Sequence, residues 1–471
     1  MLLNRFKLVG LPCLVLLCCT LPHLEQGDFR RDTGRYAAVG LFMWTGGQLG
    51  VPYLNPETPY FNKPPLATAI HGLFLKTFGV RVAVARVPSI LAALGVVILS
   101  VLTVRLLASR AEATVSGLVL ASTYEFFRRT REISLDFWQL FFVMMAVYLV
   151  AKSLKQRRSA GLLLAGVPIG LALLCKPLVA LGVLPVLALW AVLVGQRRAA
   201  VWLLTGTVAV AVVVAAPWHL YMWSLFGPAF TARYFGHEVL SRVQGKLTTM
   251  PFWYFPATLF RNYWPWMLAV AWAVRERWWR SGRLLRPPLR DVALLGCVWV
   301  GCVLLMLSFF PDKKVNYGLP LYLMLSWVAS AGLCRLPWRG LRTWYARGFA
   351  GLAPVTAALL VLLSLLPIRF QAPPSEDWQV LFRWLREERI PLDSLNHHNL
   401  DADSICYYYL KAGVFPKHFV PGPGPGPDAG RLVLTAHDPN SDPRAVPALF
   451  VAGELAVVSS TNMAPRKLGA D

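Results

Sequence analysis

"YFNKPPLATAIHGLFLKTFG", residues 60–79, sets a lysine directly before a Pro-Pro pair in an otherwise apolar tract. Proline is accepted in the first turn of a helix, where its missing N–H would have no partner, so Pro64 and Pro65 predict a helix start with Lys63 held beside it. The first N–H groups and the positive end of the helix dipole then face the same place as the ammonium, an arrangement that suits a phosphate. Downstream comes "ARVPSILAALGVVIL", the start of a run of about 24 residues and long enough to cross roughly 30 Å of hydrocarbon.

That run is one of many. The 471 residues are 56% hydrophobic and only 15% charged, with a mean hydropathy of +0.50. Together these values describe an all-α polytopic membrane protein. "LVGLPCLVLLCCTLPHL" follows Asn4, Arg5 and Lys7 and lacks a small-residue cleavage site, so it reads as a first spanning helix and not as a removed signal. Further apolar runs fall at 84–107, 112–127, 133–151, 159–175, 177–195, 200–217, 257–274, 291–310, 316–334 and 348–367. The expectation is about eleven crossings.

A net charge of +23 would suggest nucleic acid in a soluble chain, but here the basic residues concentrate in short connections between apolar runs. "NRFK", "RLLASR", "KSLKQRR", "GQRR", "RERWWRSGRLLRPPLR" and "RLPWRGLRTWYAR" fall at every second gap. The charge therefore reports topology, with a cytoplasmic amino terminus and no nucleic-acid partner. Loops 25–83 and 217–256 and the tail then lie outside. Most of the eight cysteines sit in apolar runs with no C-x-x-C spacing, which indicates neither a disulfide framework nor a zinc site.

Residues 1–367 thus form a transmembrane domain in which "YAAVGLFMWTGGQLGVPYL" and "LATAIHGLFLKTFG" are expected to lie in the interface plane. Residues 368–471 are expected to form a small soluble α/β domain: "WQVLFRWLREERI" has helical amphipathicity, while "SICYYYL" and "RLVLTAH" are strand candidates. "VPGPGPGPDAG" is a Pro/Gly linker.

Ionisable groups at a membrane surface are costly and hence informative. Asp32 and Asp136 open onto the outer side from different helices. Either one is also explained as a helix cap or an arginine partner. Lys63, Arg128, Arg129, Arg131, Lys176, Arg242, Lys246, Lys313 and Lys314 gather on the same side, against the usual orientation bias. An anionic phosphate accounts for this grouping, since arginine binds it bidentately and lysine as a point charge. Contact with ordinary lipid headgroups accounts for one or two such residues. His237 and Glu238 are weak candidates for a divalent metal, as an adjacent His-Glu pair is more often structural.

The order of "DTGRYA", "VPYLNPETPYFNKPPLATAIHGLFLKTFG", "ARVPSILAALGVVIL", "REISLDFWQLFF", "KPLVAL", "APWHLYM" and "PDKKVNYGLPLYLML" resembles the bacterial aminoarabinose-transferase and dolichyl-phosphate-mannose-protein-mannosyltransferase-like family. The resemblance covers roughly residues 8–335, its most specific part being Tyr-Phe-x-Lys-Pro-Pro. It implies the GT-C fold and transfer of a sugar from a polyprenyl-phosphate donor, undecaprenyl-linked, in the bacterial inner membrane with the site facing the periplasm. The sequence does not choose the acceptor: lipid A, a glycan, a lipid or a protein would each suit an outer cavity, with membrane lipids as surroundings.

By the same resemblance Asp32, before Arg35 and Tyr36, and Asp136 are catalytic, while Lys63 and Lys313, and less closely Arg242, hold the lipid phosphate; the outer-loop position of Arg131 makes it an alternative to Arg242 in that role. The sequence departs from the family pattern at Thr33 and Asn62, where acidic residues are common, so no cofactor is assigned and a divalent metal remains an open alternative. A polyprenyl-lipid transporter or a lipid-binding scaffold would share the basic residues but would not need Asp32 and Asp136.

Overall fold

The computed structural model describes residues 2–29, 31–46, 49–176, 179–241, 244, 250–264, 266–281, 292–311, 313–335, 376–398, 400–414, 417–418, 432–436, 448–452 and 455–459. The chain divides into two compact units. One comprises Met1–Leu24, Phe61–Ile70 and Arg86–Ile368; the other comprises Glu25–Tyr60, His71–Ala85 and Arg369–Asp471.

The first unit is helical among its described residues. Four helical stretches are long and apolar enough to cross a membrane: Val82–Leu107, Leu135–Gln156, Arg197–Glu238 and Val292–Phe309. The other expected crossings are shorter. The run at 112–127 is divided between helices Arg110–Ala121 and Tyr124–Thr130, the first started by a reciprocal Ser109–Glu112 capping box and ended at Ser122. The run at 159–175 is divided into Ala160–Leu164 and Gly166–Leu173. Residues 348–367 lie outside the described part. The number of crossings is therefore not given by helix length.

Large apolar side chains fill this unit, Trp190, Trp299 and Trp327 among the most deeply buried. Of these three indoles, Trp327 donates its Nε1 hydrogen to Ser100 Oγ at 2.7 Å. One irregularity matters for the site. Helix Gly206–Thr231 is interrupted at Gly227, whose φ of 49° is available cheaply only to glycine. A π-helical segment, Ala232–Leu240, follows and carries His237 and Glu238.

In the second unit, helix Glu376–Glu387 buries Trp378, Leu381 and Leu385, a spacing that puts all three on one face. A mixed sheet is ordered Lys417–His418, Asn396–His398, Leu432–Ala436, Leu455–Ser459, Ala448–Ala452, parallel across the first three strands and antiparallel thereafter. Trp384 stacks on Phe450 of the edge strand with centroids 4.5 Å apart.

The strand expected at "SICYYYL" is instead helix Ala402–Ala412. Asp401 caps it by accepting from Ser404 N at 2.8 Å, and Gly413 ends it at φ 78°. Ile405 to Leu410 are all buried, which removes the polar face that would have revealed a helical period.

Candidate active site

Asp136 is the centre of a polar cluster in the first unit. Ser134, in extended conformation, precedes helix Leu135–Gln156 and puts Asp136 in its first turn, where the helix dipole favours a negative charge. Both carboxylate oxygens are engaged. Oδ1 pairs with Lys176 Nζ, and Oδ2 accepts from Asn316 Nδ2 at 2.8 Å. Lys176 also lies over the Tyr317 ring, 5.4 Å from its centroid. A carboxylate held by an ammonium on one oxygen and an amide on the other is fixed in orientation. It is well suited to orienting neighbours. Lys176 belongs to the expected outer basic grouping, whereas Asn316 was not an expected site residue; they lie in the motifs "KPLVAL" and "PDKKVNYGLP" respectively.

Lys63 stands where the sequence places it, two residues before helix Pro65–Phe78. The helix start, however, is already committed: Leu66 N donates to Leu174 O at 3.0 Å, and the Ala67 backbone meets Cys175. These contacts set the Lys63 segment beside the Lys176 turn. Lys63 itself pairs with Glu238 of the π-helical segment, with side chains 11% and 3% exposed. Glu238, a weak metal candidate with His237, is thus engaged by a lysine. His237 Nδ1 is 3.7 Å from Glu238, yet that carboxylate neutralises an ammonium, and no group of three metal-ligating side chains occurs among the described residues.

Other members of the expected basic cluster also have partners within the fold. Arg131, placed with the phosphate ligands by the sequence, is 1% exposed and donates to Thr20 O at 2.8 Å and His23 O at 2.9 Å. Its guanidinium fastens the end of helix Leu2–Thr20 and faces carbonyls. Arg128 and Arg129 bridge Glu125 and Glu132 at 2.7–3.1 Å, a network without net charge. Lys313 is buried and donates to Met250 O at 3.0 Å; burial pushes its ammonium below the ordinary lysine value. Because Asn316 reaches Asp136, Lys313 stands three residues from the cluster. Arg242 and Lys246 lie outside the described residues.

Asp32 belongs to the second unit. It occupies the first turn of helix Arg31–Thr45 with its side chain 52% exposed, and its Oδ1 is 3.8 Å from Arg35 Nη1. Arg35 is bound far more closely by Asp403, through Nη2 at 2.6 Å and Nε at 2.9 Å. Burial lowers the guanidinium's affinity for its proton, but Asp403 outweighs that effect and the group ends above its usual value. Four residues upstream of Asp32, buried Asp28 accepts from Phe29 N at 2.8 Å, from Tyr407 Oη, and from Lys411 Nζ at 3.1 Å. Nothing local in the sequence marks Asp28 or Asp403.

Residues 62–223 match the family model described as dolichyl-phosphate-mannose-protein mannosyltransferase. An undecaprenyl phosphate-α-4-amino-4-deoxy-L-arabinose arabinosyl transferase of Pseudomonas fluorescens is 26% identical over 380 residues, 79% of this chain and 67% of that protein. Among solved structures, ArnT from Cupriavidus metallidurans bound to undecaprenyl phosphate superposes with a TM-score of 0.70 at 17% identity, covering 98% of each chain. The archaeal oligosaccharyltransferase AglB from Archaeoglobus fulgidus, in complex with an inhibitory peptide and a dolichol-phosphate, gives 0.52 at 13% identity, over 90% of this chain and 62% of AglB. By sequence over most of its length the chain is similar to undecaprenyl-phosphate aminoarabinose transferases, and by fold over nearly all of it to ArnT.

Proposed function

We propose that the chain is an integral membrane glycosyltransferase of the bacterial inner membrane that moves a sugar from an undecaprenyl-phosphate donor to an envelope acceptor on the periplasmic side. The observation that carries this reading is the cluster in which Asp136 is held by Lys176 and Asn316 beside the Lys63 segment, in a chain similar over 79% of its length to an arabinosyl transferase named for such a donor.

In this reaction the acceptor oxygen bonds to sugar C1 as the bond from C1 to the lipid-phosphate oxygen breaks. The phosphate departs with one more negative charge than it had as a diester, and the sugar passes through a cationic state. Cations preorganised around the phosphate oxygens are therefore worth more in the transition state than in the ground state. Lys63 and Lys313 take this role, with Lys176 held by Asp136 at the same end of the unit. Arg242 is assigned to them by resemblance alone. Asp32, half-exposed, receives the proton of an acceptor hydroxyl. Where the acceptor is itself an ionised phosphate there is no proton to take, and Asp32 acts by positioning.

Mass spectrometry of envelope lipids and glycans, with and without the protein, identifies the acceptor. Initial transfer rates from a defined undecaprenyl-phosphate sugar in nanodiscs then test the mechanism. Asp32→Asn is expected to fold, to bind donor, and to transfer about 10²-fold more slowly or worse for a hydroxyl acceptor. If folded Asp32→Asn and Asp136→Asn both transfer at the parental rate, the enzyme reading is wrong and lipid binding or transport replaces it.

A further inference from the structure

Arg35 lies between two carboxylates and treats them unequally. Its Nη2 and Nε both meet Asp403 Oδ1, at 2.6 and 2.9 Å, whereas Nη1 stands 3.8 Å from Asp32 Oδ1. The first is a close, charge-assisted pair; the second lies beyond hydrogen-bond range. Asp403 is fixed in turn. It occupies the first turn of helix Ala402–Ala412, whose start is capped by Asp401. That helix is tied along helix Arg31–Thr45 by the 2.8 Å bond between Thr45 Oγ1 and Tyr409 Oη and by the edge contact of Phe42 with Tyr409, centroids 6.0 Å apart. Asp28, just ahead of Arg31–Thr45, binds Tyr407 and Lys411 of the same helix.

We infer that Asp403 is a positioning residue for the reaction: it draws the Arg35 guanidinium away from Asp32, so that Asp32 is oriented by Arg35 without being locked into a bidentate pair. The physical basis is the planar fork of arginine, which matches one carboxylate at a time in its strongest geometry. With Asp403 neutral, Asp32 is the remaining full carboxylate beside Arg35 among the described residues, and the fork closes on it. The Asp32 carboxylate is then clamped by the guanidinium where the acceptor must approach. The carboxy-terminal part of the chain, on this account, sets the state of a carboxylate near the amino terminus. The inference rests on the reading that Asp32 acts on the acceptor.

The test is a double-mutant cycle on the full-length protein in nanodiscs, with transfer rate, acceptor KM, donor binding and melting temperature all measured. Asp403→Asn is expected to lower kcat about tenfold while donor binding stays at the parental value, a loss of the size that follows from misplacing a reacting group. Asp403→Glu restores most of the rate because the charge returns. In an Arg35→Gln background, adding Asp403→Asn changes the rate less than twofold, since the guanidinium through which Asp403 acts is gone. A merely structural Asp403 would give multiplying losses in the double variant and a reduced melting temperature, and either result overturns the inference.

Parental kcat in Asp403→Asn overturns it as well. If Asp403→Asn fails to fold, Arg35→Lys serves: it keeps the charge, loses the fork, and is expected to be insensitive to Asp403→Glu, and sensitivity would overturn the inference. Parental activity in Asp32→Asn would instead remove the underlying mechanism, so the two failures are distinguishable.

Discussion

The Lys63–Glu238 pair gives an expectation in which stability and ligand affinity move in opposite directions. For Lys63 to meet the donor phosphate, its ammonium must exchange Glu238 for a phosphate oxygen or share itself between them. Glu238 is 3% exposed and Lys63 11%, so the exchange happens with little water to soften it. Two unit charges about 4 Å apart at an effective dielectric constant near 20 attract by about 4 kcal/mol, and that is the scale of the competition.

Removing one member of a buried pair costs about 3–5 kcal/mol because the other charge is stranded. Glu238→Gln should therefore lower the melting temperature of the ligand-free protein by several degrees. Undecaprenyl phosphate, as the new partner of Lys63, should restore most of that loss. Even a third of the competing attraction, roughly 1.4 kcal/mol, makes donor affinity tenfold tighter in Glu238→Gln than in the parent. Lys63→Met should show the reverse, with donor affinity weakened at least tenfold and no ligand rescue. The assay is thermal unfolding in nanodiscs across an undecaprenyl-phosphate titration. Equal ligand-induced shifts in the parent and Glu238→Gln would show that Lys63 does not exchange partners, and the phosphate role of Lys63 would fall with that result.

Other expectations follow from the same geometry. Asp136→Asn and Lys176→Met should each destabilise the protein by about 3 kcal/mol, while the double variant loses less than their sum by 0.5–3 kcal/mol, as expected for direct partners; additive losses measured by chemical denaturation would contradict the pair. Gly72→Ala should destabilise by about 1–3 kcal/mol or more, since an added Cβ would stand 1.9 Å from Gly40 O; an unchanged melting temperature would refute that close approach.

Lys313, lowered by burial from 10.5, should lose its proton at a lower pH than an ordinary lysine. Its desolvation penalty is full at low pH and relieved as pH rises from the folded value towards 10.5. Donor affinity should accordingly decline with rising alkalinity below that value, and Lys313→Arg should abolish the decline. An identical pH profile in Lys313→Arg would exclude Lys313 from phosphate binding.

What the sequence determined by itself is local or cumulative. Apolar runs gave the helical, membrane-class fold, and Pro64 and Pro65 gave the helix start that the structure places at Pro65. The amphipathic spacing of Trp378, Leu381 and Leu385 gave helix Glu376–Glu387. Motif order alone pointed to the family. Each of these signals lies within a few residues, because capping, helical period and bilayer-length hydrophobicity are short-range properties of the chain.

Partnership was decided only by the tertiary structure. Lys63 meets a carboxylate 175 residues away, Arg35 meets one 368 residues away, and Arg131 clasps two carbonyls more than 100 residues away. At "SICYYYL", burial on every side overrode the local strand signal and the caps at Asp401 and Gly413 settled a helix. The physical reason is desolvation: a charge carried into a folded interior must find a partner there, and which partner arrives depends on how distant helices pack, information that no short window of sequence contains.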